Sequence, residues 1–483
     1  MTRHALSPKE TTMKKIVLMT CAAAVLSGCS LVPDYMRPDM PVPQTWPQGP
    51  AAAATPAAKD GQSLWTDTAW KEFFTDPTLQ RLIQQSLDNN RDLRVAALNI
   101  EVARATYRVT QADLLPNLDA NGSGSVARTP LNASRTVPAT KVTARSHAAN
   151  VGVTAFELDL FGRVRALNEQ ALEQFLATEE ARNSTQISLV AEVANAYLTW
   201  LGDRKLLALT EETLETRLKS LDLIDQSFAR GVSSELDLAQ AKTAVETARA
   251  NRALYLRQVD QDRNALTLLV GSPITDDALA GELDSMRLVE DLPVGLPSEV
   301  LLRRPDIAQA EHSLKAANAN IGAARAAFFP SISLTGAAGY SSRNLSNLFE
   351  AGSGAWSFGP SVSLPIFDAG RNQANLDSAK ASRDIAVAQY EKSIQTAFRE
   401  VADALAAKGT LTDQMAAQGR LVEATRTSYR LSQARYDHGI DSYLNVLDSQ
   451  RSLYSAQQEL VSVQVERLSN LVSLYKVLGG VRN

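Results

Sequence analysis

The chain has 483 residues, a formal net charge of −4, 21% charged residues and 6% aromatic residues. That length exceeds what one compact core usually serves, so two units or an extended shape is expected. The near-neutral balance excludes the basic surface of a nucleic-acid-binding protein, and with both cysteines (Cys21 and Cys29) near the N-terminus the body can hold neither a disulfide framework nor a thiolate metal site.

The N-terminus reads as an export signal. Lys14 and Lys15 precede an apolar run from Ile16 to Val25, and Leu26-Ser27-Gly28-Cys29 follows. A basic start and an apolar run of about ten residues mark secretion and are too short to span a bilayer. The ending resembles the bacterial lipobox, in which cleavage leaves a cysteine as the lipid-bearing first residue. Residues 1–28 are therefore expected to be a lipoprotein signal peptide, with Cys29 as the lipidation site. Each buried methylene of an acyl chain would contribute about 0.8 kcal/mol of membrane affinity. The signal pattern starts at Met13, which leaves Met1–Thr12 as an extension or a misassigned start. No later apolar run reaches the length of about 18 residues needed for a membrane helix, so any crossing must be made by β-strands.

Residues 29–75 form an N-terminal tether. Prolines from Pro33 to Pro56 keep it extended, and Trp65, Trp70, Phe73 and Phe74 close it with an aromatic cluster. Residues 76–271 are read as a first structural repeat. Asp76-Pro77 is a helix start, and the helical period runs through Asn90-Arg91-Asp92-Leu93 to Leu115, where Pro116 stops it. From Leu118 the period becomes two, which predicts a strand to Val126. A polar loop over 129–147 and a second strand from Val151 to Leu160 follow. The apolar phase of that strand slips near Thr154-Ala155, as a bulge requires. A long helix is predicted from Arg163 to Phe228, irregular only at Gly202-Asp203. Gly231 turns the chain into a return helix ending at Val270. Its seam of Leu238, Ala241, Val245, Ala248, Arg252, Tyr255 and Val259 steps by threes and fours, as in a coiled coil.

After a linker at 272–298 the order returns over 299–480. Arg304-Pro305-Asp306-Ile307 echoes Asn90-Arg91-Asp92-Leu93, and Phe328-Phe329-Pro330 echoes Leu114-Leu115-Pro116. A third strand is expected over Ile332–Tyr340 and a fourth over Trp356–Ile366. The fourth alternates apolar residues with Ser357, Gly359, Ser361 and Ser363, at the length of a membrane β-strand, about 9 to 11 residues. A half-buried strand of a soluble sheet would show the same pattern; the lipid signal and the long flanking helices favour the membrane. A second long helix should run from Arg371 to Tyr436 with a break at Lys408-Gly409-Thr410. Gly439 turns the chain into a last helix that stops at Gly479-Gly480. Between Phe228–Gly271 and Tyr436–Gly479 the two halves align without a gap, placing Gly231 on Gly439, Leu236 on Leu444 and Gly271 on Gly479.

Four strands cannot close a barrel, and an open edge in lipid leaves backbone groups unpaired at several kcal/mol each. Single-chain barrels start at about eight strands, so other copies must complete this one.

The chain resembles the outer-membrane factor family, the TolC-like exit ducts, and within it the NodT/OprM-like lipoprotein branch that serves resistance-nodulation-division pumps. The resemblance rests on Leu158-Asp159-Leu160-Phe161-Gly162-Arg163, Leu302-Arg303-Arg304-Pro305-Asp306-Ile307, Phe328-Phe329-Pro330-Ser331, Leu364 to Arg371 and Tyr443 to Ser452. It implies an α+β membrane protein in which a homotrimer forms a 12-stranded β-barrel, continued by a 12-helix periplasmic α-barrel. It implies an outer-membrane exit duct of a tripartite efflux system, working with a periplasmic adaptor and an inner-membrane pump of the resistance-nodulation-division type to expel drugs or other toxic compounds. A ring of Leu444 and a ring of Asp448 would form the periplasmic gate. Arg435, Tyr436 and Arg451 would latch it, and the tips at Gly231 and Gly439 would contact the adaptor. The matching position of the first hairpin is Gln240, so the two tips are expected to differ.

No enzyme constellation is present: no HExxH, P-loop or nucleophile elbow, and the four histidines are scattered and read as lone, solvated or structural groups. No enzyme activity and no cofactor are expected, apart from the covalent lipid on Cys29. Two other readings stay open: a lipid-anchored periplasmic coiled-coil scaffold, and a duct for metal-ion or protein export. Few methionines lie outside the signal and tether, which leans the cargo toward organic compounds.

Overall fold

A computed structural model describes residues 30–47, 70–130, 142–275, 279–289 and 300–480. Cys29 and Trp65 lie outside them. The elements in chain order are α1 (Trp70–Phe73), α2 (Pro77–Asn89), α3 (Arg91–Ala112), β1 (Leu118–Thr129), β2 (Val142–Glu157), α4 (Arg163–Ala229) and α5 (Glu235–Val270). After a short 3-10 turn at Leu283–Ser285 come α6 (Pro305–Ala326), β3 (Ser331–Ser342), β4 (Gly354–Ser363), α7 (Arg371–Asp437) and α8 (Tyr443–Val477). The order of helix, two strands and two long helices thus occurs twice. Both leading long helices have 67 residues; the returning ones have 36 and 35.

The chain divides into two units. One gathers the described residues within 1–38, 100–178 and 310–390. It contains a four-stranded antiparallel sheet in the order β1-β2-β3-β4. The strands form because small and β-branched residues alternate, and the register shifts between Val153 and Phe156, where Ala155 takes φ 55°. This is the bulge read from the slipped phase. β2 begins at Val142, so 142–147 extend the strand rather than belong to the expected loop: every residue from 142 to 153 has a partner on β1. β4 ends at Ser363, short of Ile366, since no residue of β3 pairs beyond Ser331. The segment 30–38 is extended, as its prolines dictate, but it is bound to α6. Asn318 Nδ2 donates to Pro33 O at 2.8 Å, and Arg37 makes a bidentate pair with Glu311 at 2.9 Å. Val32 crosses above Gly322, where a Cβ would meet the Val32 side chain at 2.5 Å.

The second unit holds the described residues within 39–99, 179–309 and 391–483. Its core packs Trp70, Phe73, Phe74, Leu79, Leu82 and Ile83 against Val193, Tyr197, Leu201, Leu266, Leu471 and Tyr475. Phe73 stacks on Tyr475 at 5.2 Å and meets Phe74 edge-on at 4.6 Å, so the sequence's aromatic cluster is the plug of this core.

Three helical expectations need correction. The first helix is two, separated at Asn90. Its backbone is extended (ψ 134°), and its Oδ1 caps α3 by accepting from Asp92 N and Leu93 N at 2.9 and 3.0 Å. Gly202-Asp203 does not interrupt α4. Gly202 is buried, and a Cβ there would sit 2.7 Å from Val465 Cγ2, so glycine lets α4 and α8 approach closely. Nor does Lys408-Gly409-Thr410 break α7, where Thr410 Oγ1 donates back to Ala406 O at 3.0 Å and the helical bonds continue.

Candidate functional site

Each hairpin of long helices ends in a glycine turn. Gly231 takes φ 74° and Gly439 φ 70°, with open space where a Cβ would stand. Their amides repeat one geometry: Gly231 N donates to Phe228 O and Gly439 N to Tyr436 O, both at 2.8 Å. This left-handed turn is nearly free for glycine and strained for any other residue.

Beyond the turns the tips diverge. The first return helix starts with a full capping box. Asp237 N donates to Ser234 Oγ at 3.1 Å, and Ser234 N donates back to Asp237 Oδ2 at 3.1 Å. The second starts at Ser442, whose side chain makes no cap bond. There Arg435 reaches over the turn to pair with Asp441. That pairing holds the Asp441 carboxyl below the usual carboxylate range.

A small apolar cluster joins the tips: Ile224, Leu238, Ala241 and Ala244 against Tyr443, Val446 and Leu447. Tyr436 packs on its edge, 5.6 Å from the Tyr443 ring and against this inter-hairpin cluster. Burial pushes the phenols of Tyr436 and Tyr443 up. Leu444 and Asp448 lie on the opposite, outward face of α8, Leu444 43% exposed and the Asp448 side chain 61%. One turn apart, they present one apolar and one acidic group side by side. Asp448 bonds Arg451 Nη1 at 3.2 Å. Of the three expected latch residues, then, Tyr436 reaches the other hairpin, while Arg435 and Arg451 pair within their own. Gln240, at the position matching Asp448, is half-buried with its Oε1 unpartnered.

Two groups behind the tips escaped the sequence reading. Arg217 is 5% exposed, donates to Ala244 O at 2.8 Å and lies 5.6 Å from the Tyr454 ring. Tyr454 in turn meets Thr210 Oγ1 at 2.7 Å. An arginine in a helical stretch ordinarily reads as surface; only its place opposite a run of small residues (Ala241, Ala244, Val245) could have hinted at burial.

At the other end of each hairpin, the paired motifs finish the return helices. Asn90 Nδ2 and Ser86 Oγ donate to Leu269 O at 2.9 and 2.8 Å. Arg304 Nη1 donates to Val477 O at 2.8 Å while its other nitrogens hold Asp306 and Glu400. The carbonyls left over at a helix C-terminus are answered by a side chain from the motif in both halves. His312 is not the lone group expected: its Nδ1 lies 2.6 Å from Glu173 Oε2. Among the described residues no group of three or more His, Cys, Asp or Glu could hold a metal.

The sequence profile of the outer membrane efflux protein family matches residues 82–272 and 296–480. The chain belongs to the outer membrane efflux protein family. It is 54% identical over 468 residues to a toluene efflux pump outer membrane protein, TtgC, of Pseudomonas putida, covering 97% of this chain and 96% of that protein. The antibiotic efflux pump outer membrane protein ArpC of Pseudomonas putida is similar to the same extent, 54% over 468 residues with the same coverage. Among solved structures, the open state of the MtrE outer membrane channel of Neisseria gonorrhoeae superposes with a TM-score of 0.83 at 40% identity, over 94% of this chain and 98% of that one. This outer membrane efflux protein therefore resides in the outer membrane, and efflux is its function. Both family segments contain one strand pair and one tip hairpin.

Proposed function

We propose that three copies of this chain form a lipid-anchored exit duct, completed by a periplasmic adaptor and an inner-membrane pump of the resistance-nodulation-division type. One observation carries this reading: the four-stranded sheet has two open edges, β1 and β4. In an outer-membrane protein those edges must find partners, because unpaired backbone in lipid costs several kcal/mol per group. Three copies give the 12-stranded β-barrel, and their long helices the 12-helix α-barrel. Helix α3 supports the assembly, since Val95, Leu98, Val102 and Val109 are exposed at helical spacing and leave an apolar stripe for a neighbour.

The remaining parts follow from the sequence. Residues 1–28 direct export, Cys29 carries the lipid, 29–75 tether the body, and 76–271 and 299–480 are tandem repeats joined by 272–298. Leu444 and Asp448 form the gate, and Tyr436, Arg435 and Arg451 hold it shut. Gly231 and Gly439 mark the adaptor contacts. The duct is passive, without enzyme activity or cofactor, so the pump supplies the energy. The named cargoes of TtgC and ArpC support antibiotics and small apolar organics as its cargo.

The assembly is tested by light scattering on detergent-extracted protein and on Cys29→Ser. A heat-labile trimer with an acylated N-terminus is expected. A monomer set free once the lipid is removed contradicts the duct. Expression in a host lacking its own exit duct should restore resistance to toluene or antibiotics together with the cognate pump.

A further inference from the structure

Between tip and base, the first hairpin carries two carboxylates that neither end uses. Two contacts fix the antiparallel register of α4 and α5: Arg217 Nη1 donates to Ala244 O at 2.8 Å, and Arg252 Nε pairs with Glu211 at 2.9 Å. Continuing that ladder about two turns away from the tip brings Asp203 opposite Asp262. There the two carboxyls interact. Ionised carboxylates only accept, so a hydrogen bond between them needs a proton on one.

Among the described residues, the neighbouring cations have other contacts. Arg204 lies over the Trp200 ring and reaches Gly281 O. Lys205 pairs with Asp284 of the 279–289 segment. Arg263 donates to Ile274 O. From α8, Gln458 donates to Tyr255 of α5, and Val465 covers Gly202; Glu459 and Glu466 are exposed. Asp262 Oδ2 is buried and accepts from no donor among the described residues. Burial, and then the Asp203 charge, push the Asp262 carboxyl up to about 7; burial raises Asp203 as well.

We propose that Asp203 and Asp262 share one proton and clasp the two helices of the first hairpin, and that losing this proton loosens the hairpin at this level. With both ionised, two like charges face each other in a half-buried site, an arrangement that costs energy until they separate or the proton returns. The second hairpin has no such device. Its matching positions are Leu411, buried, and Asn470, whose Nδ2 donates to Ala404 O at 3.0 Å. The clasp is thus a proton-sensitive feature of one hairpin.

Full-length protein in detergent tests it by infrared spectroscopy and amide hydrogen exchange on either side of pH 7, using wild type, Asp262→Asn and Asp203→Asn. In wild type the band of a protonated carboxyl should vanish as pH rises through about 7. Protection along 203–211 and 255–262 should then fall several-fold beyond the intrinsic exchange rate, while 411–419 and 463–470 stay unchanged. Asp262→Asn, nearly isosteric with the protonated acid, should lack the band and stay protected at both pH values; Asp203→Asn should do the same. Absence of the band in wild type below pH about 6 overturns the shared proton. Equal loss of protection in wild type and Asp262→Asn overturns the clasp.

Discussion

The two hairpins share a length, a turn and a backbone, and they differ in what locks them. The first has a capping box at Ser234 and Asp237, a carboxyl pair at mid-height and an amide cap on Leu269 at its base. The second has an uncapped start at Ser442 and an outward-facing Leu444 and Asp448. At its base is an arginine tied to two acids. The first tip is fastened by a capping box and the second by ion pairs within its own hairpin. At the base an amide caps the first return helix and an arginine the second. A repeat fixes the scaffold, and the two tips depart from it, with Gln240 where the second hairpin has Asp448.

The largest effect that would sharpen this contrast is at the base. Arg304→Ala removes the cap on Val477 and leaves Asp306 and Glu400 without their cation. Because both acids reach solvent, the expected loss is at the lower end for a broken buried pair, about 3 kcal/mol in denaturant unfolding. Gly202→Val should come next, at about 2 kcal/mol, because its Cβ lands on Val465 and pushes α4 from α8. If Gly202→Val is neutral, close packing does not explain the glycine. At the tips, Ser234→Ala should cost about 1 kcal/mol while Ser442→Ala costs almost nothing. Equal effects would erase the difference between the two starts.

A further expected effect is one of pH. Asp262 has a folded-state pKa raised to about 7, above its unfolded value near 3.9. Between those values the folded chain holds a proton that the unfolded chain releases. Stability therefore falls as pH rises from about 4 to about 7 and is flat above. Midpoints of chemical unfolding for Asp262→Asn should lack this slope.

Much of this was legible in the sequence, and the exceptions share a cause. The strand pairs, the bulge at Ala155 and the long helices follow from periodicity, which reports burial along one element. Gly202 and Gly409 were misread because local propensity counts glycine as a breaker, whereas Gly202 serves contact with Val465, far along the chain. Asn90 was missed because its role, a cap on α3 that also reaches Leu269, joins a local signal to a distant one. Arg217, the Asp203–Asp262 pair and the Glu173–His312 contact depend on register between helices, which no single segment encodes. The tip residues Leu444 and Asp448 could be selected by resemblance, and the structure places them on one exposed face.

The central claim is that the second hairpin, through Asp448, is the gate of a duct and the first is not. Single-channel recording of the reconstituted protein tests it most directly, comparing wild type, Asp448→Ala and Gln240→Ala at the matching position. Asp448→Ala should raise the conductance of the closed duct and weaken its preference for cations, while Gln240→Ala behaves as wild type. Unchanged conductance and selectivity in Asp448→Ala, or the same change in Gln240→Ala, would contradict it.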